Sequence, residues 1–213
     1  MTTLLASLRT RAAHVAAAAL LGAGIGIAAH AQPAGPARDA ATALPGDSVY
    51  RLATALTDQN GRNFRLDERR GRPMLVSMFY TSCQFVCPML IESIRDVEQQ
   101  LSPAEREHVG VLLVSIDPEH DTVAVLKRTS DQRAGDPARW TLARTDAASV
   151  RKLAAVLGIQ YRALGNGEFN HTTAILLLDP QGRIVARSSK LGGAEPGFVQ
   201  RVRAAARAAP SGA

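Results

Sequence analysis

The sequence predicts an α/β fold: a central mixed sheet with helices on both faces and a hairpin on its N-terminal side. Three observations predict it. Nearly continuous apolar runs at residues 74–80 and 109–116 have the length and make-up of strands buried on both faces. Between and after them, apolar residues recur at helical spacing, so each such segment offers one stripe to a core. Late in the chain, Asp179-Pro180-Gln181-Gly182 is a strong turn sequence between two more apolar segments. Buried strands alternating with one-sided helices require a sheet covered on both faces.

Taken in order, Leu52, Ala53, Ala55 and Leu56 lead into Asp58-Gln59-Asn60-Gly61, a polar stretch closed by glycine, and Phe64 and Leu66 follow. That pattern predicts a hairpin. Residues 74–80 lie between Pro73 and the Thr81-Ser82 pair. From Pro88 the spacing turns helical, with Leu90, Ile94, Val97 and Leu101 at offsets of 0, 4, 7 and 11. After the strand at 109–116, Asp121 offers an N-cap for a helix carrying Val123, Leu126 and Lys127. Residues 140–142 read as a short strand. Asp146 caps a helix with the stripe Val150, Leu153 and Leu157, which Gly158 ends. Residues 174–178 and 184–186 flank the Asp179 to Gly182 turn. Pro196 opens a last amphipathic helix, Phe198 and Val202 inward and arginines outward. A thioredoxin-like domain fits this order.

The N-terminus reads as an export signal. Arg9 and Arg11 precede an apolar run at residues 15–29, and Ala29-His30-Ala31 matches the small-residue pattern of a cleavage site. Cleavage is expected after Ala31, leaving Gln32 first; the alternative is an uncleaved membrane anchor, for which the run is short. Residues 1–31 hold two arginines and no acid, so their removal lowers the formal charge from +6 to +4. The remaining basic residues form no concentrated stripe with interleaved aromatics, which argues against nucleic-acid binding. Residues 32–47, rich in Ala, Pro and Gly, suit a flexible tether, and residues 210–213 a disordered tail. One domain over residues 48–209 is expected, a monomer in an exported, periplasmic or membrane-tethered setting.

The chemistry concentrates in Thr81-Ser82-Cys83-Gln84-Phe85-Val86-Cys87-Pro88, where a buried strand hands over to a helix. Amide N–H groups and the positive end of the helix dipole favour a thiolate there. A disulfide between Cys83 and Cys87 would close a very short loop and contribute roughly 2 kcal/mol at most, a weak staple. Two sharper uses remain open: disulfide exchange with a partner, or binding of a soft ion such as Cu(I) by two thiolates. Three residues separate the cysteines, whereas thioredoxin-type oxidoreductases use two.

An imidazole would extend such a site toward Cu(II). Of the five histidines, His14 and His30 lie in the signal, His108 in a polar link, and His120 in the turn Asp117-Pro118-Glu119-His120-Asp121. His171 follows the Gly-rich residues 165–167 and directly precedes an apolar strand. It is a candidate for either a metal ligand or a hydrogen-bonded structural residue.

The chain resembles the SCO/SenC family of copper-binding cytochrome c oxidase assembly proteins. The resemblance rests on Leu56-Thr57-Asp58-Gln59-Asn60-Gly61, Phe79-Tyr80-Thr81-Ser82-Cys83 with Cys87-Pro88, Val114-Ser115-Ile116-Asp117-Pro118-Glu119-His120-Asp121-Thr122, His171, and Leu178-Asp179-Pro180-Gln181-Gly182. It implies a thioredoxin-like fold in which Cys83, Cys87 and His171 bind one copper ion, as Cu(I) or Cu(II). It further implies a role in maturing the binuclear copper centre of cytochrome c oxidase, with a copper-receiving oxidase subunit or another copper protein as partner. The chain departs from the family pattern at Gln84 and Phe85, where an acid is usual between the cysteines, and at His120, where arginine is usual. Two functions compete: a metallochaperone using all three residues, and a thiol–disulfide reductase for which Cys83 and Cys87 are the catalytic dithiol. Peroxide reduction, a third use of this fold, ranks last because the segment 81–88 carries no arginine beside the thiols.

Overall fold

Seven strands form the central sheet in the order β2-β1-β5-β4-β3-β8-β9. In chain order they are β1 (Ala55–Asp58), β2 (Asn63–Arg65), β3 (Met74–Phe79), β4 (Gly110–Ser115), β5 (Trp140–Arg144), β8 (Ile175–Leu178) and β9 (Ile184–Ser188). A separate pair, β6 (Tyr161–Ala163) and β7 (Phe169–His171), makes a two-stranded antiparallel sheet. The helices are α1 (Val86–Gln99), α2 (Pro103–Glu107), α3 (Val123–Arg133), α4 (Ala147–Leu157) and α5 (Pro196–Ala208). The computed structural model describes residues 43–209. The expected signal at 1–31, most of the tether and the tail at 210–213 lie outside those residues.

The apolar runs become the centre of the sheet for a simple reason. Every residue of β3 and β4 is buried, and such strands cannot serve at an edge, where one face or one backbone rim meets water. β3 pairs in parallel with β4 and antiparallel with β8, and β4 pairs in parallel with β5. Helix α1 connects β3 to β4 and α3 connects β4 to β5, so the carboxyl ends of the three parallel strands share one rim. In open α/β sheets that rim is where ligand sites form.

The expected hairpin is β1–β2, with Leu56 opposite Phe64. Asp146 caps α4, accepting from the amides of Ala148 and Ser149, and Gly158 ends it at φ 62°. The late turn joins β8 to β9, and Gly182 there takes φ 83°. A Cβ on Gly182 would collide with the Tyr50 ring, so both its φ and the space around it demand glycine.

Three readings are corrected. Helix α1 begins at Val86 rather than Pro88, which places Cys87 inside its first turn, and Leu101 lies past its end although it is buried. The short α2 was not expected; Ser102 and Glu105 form a capping box there. Most consequential, Asp121 does not cap α3. Thr122 does, accepting from the Val125 amide, while the Asp121 carboxylate turns into the protein.

Candidate functional site

The site grows from the end of β3. Thr81 and Ser82 carry the chain off the sheet to Cys83, and α1 starts three residues later. Phe85 occupies the N-cap position and makes no side-chain cap. The first-turn amides therefore lack the hydroxyl or carboxylate that usually receives them. Cys83 supplies the acceptor: the Cys87 amide donates to its sulfur at 3.3 Å. Both cysteines are free, Cys83 half-buried and Cys87 buried.

The two thiols have different chemistry. Burial pushes the Cys83 thiol up, but hydrogen bonds from the Cys87 amide, the Cys87 thiol and the Phe85 and Val86 amides outweigh it, leaving Cys83 below the ordinary thiol range. Burial pushes Cys87 well above that range, and the neighbouring Cys83 and Asp121 charges add to the shift, against a backbone hydrogen bond from Tyr80. Cys83 is thus the accessible, readily ionised sulfur and Cys87 the protected one. Around Cys83, Phe85, Val86 and Met89 are exposed at 79%, 37% and 45%, an apolar lip beside a reactive sulfur.

Asp121, which the sequence offered only as a cap, supports this turn from below. Its carboxylate accepts from the Thr81 amide at 3.2 Å, from the Thr81 hydroxyl and from the Ser115 hydroxyl. It is 1% exposed, and burial raises its carboxyl above the usual carboxylate range in spite of those hydrogen bonds. Asp117, itself buried, and the exposed His120 belong to the turn that leads into Asp121. The His120 Nδ1 bonds the Asp117 carboxylate at 2.9 Å, which raises the imidazole pKa, and the ring faces solvent.

His171 is the last residue of β7, paired with Tyr161 across the small sheet. Its Nδ1 lies 3.3 Å from the Thr172 carbonyl, and burial lowers its pKa, which favours the neutral, ligand-competent imidazole. Tyr80 stands between it and the cysteines, with its ring centroid 5.8 Å from His171 and 5.1 Å from Phe169. The structure thus joins Cys83 to Cys87 directly and brings His171 to the same tyrosine. Among the described residues, no three His, Cys, Asp or Glu side chains already stand close enough together to hold a metal ion. Two free sulfurs at a helix N-terminus remain a donor set suited to a soft ion. The sequence reading missed Tyr80 and Asp121; a tyrosine ending a buried strand just before a cysteine segment was the available signal for the first.

The SCO1/SenC family model matches residues 48–206. The chain is 24% identical over 131 residues to the SCO1 protein homolog of Bacillus subtilis, covering 60% of this chain and 67% of that protein. It is 35% identical over 72 residues to the SCO2-like protein of Rickettsia felis, covering 34% of this chain and 35% of that one. The alignments thus span from about a third to two thirds of these relatives' length. Among solved structures, the chain resembles copper-bound ScoI of Bradyrhizobium japonicum with a TM-score of 0.58 and 26% identity, covering 74% of this chain and 97% of that one.

Proposed function

This chain belongs to the SCO1/SenC family, and from that premise we propose that it is an exported copper-binding metallochaperone that helps deliver copper to, or assemble, the binuclear copper site of cytochrome c oxidase. Copper is its cargo, one ion per chain. Cys83 and Cys87 supply thiolates suited to Cu(I), and His171 supplies the nitrogen that helps retain Cu(II). The observation that carries this reading is that Tyr80 joins the two parts of the donor set: its carbonyl accepts from the Cys83 amide in the turn of the free cysteine pair, and its ring meets the half-buried His171. Export through residues 1–31, cleaved or kept as an anchor, would put the domain in the periplasm of a bacterium, as a monomer facing an oxidase subunit or another copper protein. Among the described residues, no helix is long and apolar enough to cross a membrane.

The test is anaerobic titration of the reduced protein with Cu(I) and, separately, Cu(II). One equivalent should bind, Cys83→Ser and Cys87→Ser should abolish tight Cu(I) binding, and His171→Ala should weaken Cu(II) most. Binding unaffected by any of these three substitutions would reject the assignment.

The asymmetry of the two thiols supports a second reading, a thiol–disulfide reductase. Cys83 thiolate would attack a disulfide of the partner, forming a mixed disulfide and releasing one partner thiolate. Cys87, deprotonated, would then attack the Cys83 sulfur, releasing the second partner thiolate and leaving Cys83 and Cys87 joined. The partner gains two electrons and this dithiol loses them. His171→Ala leaves this exchange intact, whereas it weakens copper binding, so one variant separates the two readings.

A further inference from the structure

The small sheet β6–β7 is not paired with the central sheet. Besides the chain running on from His171 into β8, side-chain contacts fix where β7 sits relative to the cysteine turn, and those from Phe169 and His171 converge on Tyr80. The phenolic oxygen accepts from the Phe169 amide at 3.3 Å. The ring meets Phe169 and His171 edge-on, and the Tyr80 carbonyl accepts from the Cys83 amide at 3.4 Å, so the residue that carries the hydroxyl is itself part of the cysteine turn. A tyrosine hydroxyl can accept as well as donate, so one residue serves both sides: its hydroxyl accepts from β7 while its backbone belongs to the cysteine turn. Tyr80 is 5% exposed as a residue, and a buried tyrosine usually finds a hydrogen-bond partner for its hydroxyl; here that partner is the Phe169 amide. Phenylalanine would fill the same space with nearly the same ring contacts, so the hydroxyl has a purpose beyond packing.

We infer that Tyr80 is a positioning residue whose hydroxyl ties β7, and hence His171, to the Cys83 turn and so sets the spacing between the nitrogen and sulfur donors. Its consequence for copper rests on the proposed ligand set; the tie itself does not. Without the hydroxyl, β7 keeps its aromatic packing and loses its hydrogen-bonded register to the cysteine turn.

Tyr80→Phe tests this with two readouts. In the metal-free protein, hydrogen exchange of the Phe169 amide should speed up about five-fold, the loss of one ordinary hydrogen bond. In Cu(II) titrations, affinity should fall about 10- to 100-fold, the range for removing a group that orients a ligand, with an altered Cu(II) electron paramagnetic resonance spectrum. Cu(I) affinity, carried by the two sulfurs, should fall by a smaller factor. Unchanged Phe169 exchange would overturn the inference whatever copper does, and so would equal losses for both ions. His171→Ala, measured alongside, keeps the two ideas apart. If it leaves Cu(II) affinity intact, the ligand assignment of His171 fails, and the Phe169 exchange rate alone decides the role of Tyr80.

Discussion

Two buried carboxylates mark opposite ends of the same parallel strands, and they are satisfied in different ways. Glu98, at the end where β4 and β5 begin, is held by the Arg139 guanidinium and by the Trp140 indole N–H at 3.0 Å. Arg139 itself is 11% exposed and also reaches the carbonyls of Arg106 and Val109. Asp121, at the end where β3 and β4 finish, is held by hydroxyls and an amide, with Asp117 and the Cys87 thiol as neighbours. A paired ion at one end fastens helix to sheet. An acid answered only by dipoles at the other end leaves the cysteine turn free of a competing cation and keeps it polar beneath. The stabilising chemistry and the reactive chemistry thus occupy opposite rims of one sheet.

Glu98→Ala should have the largest effect on stability. It removes the buried carboxylate partner of Arg139, which keeps Asp136 and two carbonyls, and strands the Trp140 indole N–H, and unfolding by denaturant should show a loss of about 3–5 kcal/mol, with Cys83 alkylation in the remaining folded protein unchanged. Asp121→Ala should cost less, about 1–3 kcal/mol for groups left without a partner, but it should alter Cys83 alkylation because the Thr81 turn loses its anchor.

Asp121→Asn sharpens the contrast. An acid whose carboxyl is raised on folding binds more protons in the native state. Stability therefore falls as pH climbs from the ordinary aspartate value, about 3.9, through the raised native one, and stays lower above it. Denaturant curves collected across that window should be flatter for Asp121→Asn than for the parent. The thiols should divide as their surroundings require: iodoacetamide modifies Cys83 before Cys87, with a pH midpoint below the free-thiol value of about 8.5. Equal rates for the two would remove the asymmetry on which the reductase reading stands. The smallest effect belongs to Asp146→Ala, which lifts one helix cap away from the site: about 1 kcal/mol in denaturant, with copper binding unchanged.

Local patterns were enough for much of the molecule. The runs at 74–80 and 109–116, the stripe Leu90, Ile94 and Val97, the cap at Asp146 and the turn closed by Gly182 each carry their structure in a few neighbouring residues, because periodicity and special backbone angles are short-range properties. The hairpin β6–β7 was missed because its strands are three residues long and none of their residues is buried, so they leave no apolar period. Helix α2 was missed for its length, although Ser102 and Glu105 held the capping signal.

Residue order alone names the participants: a cysteine pair at a strand-to-helix junction, one histidine before a late strand, and the α/β plan that carries them. How they differ emerges only when the chain is packed. The exposure that separates Cys83 from Cys87, the turning of Asp121 from a cap to an anchor, and the placing of Tyr80 between Cys83 and His171 all depend on contacts between residues about 40 to 90 positions apart in the chain. Burial and partnership, which set the reactivity of a sulfur or a carboxylate, are properties of the packed whole and have no local signature.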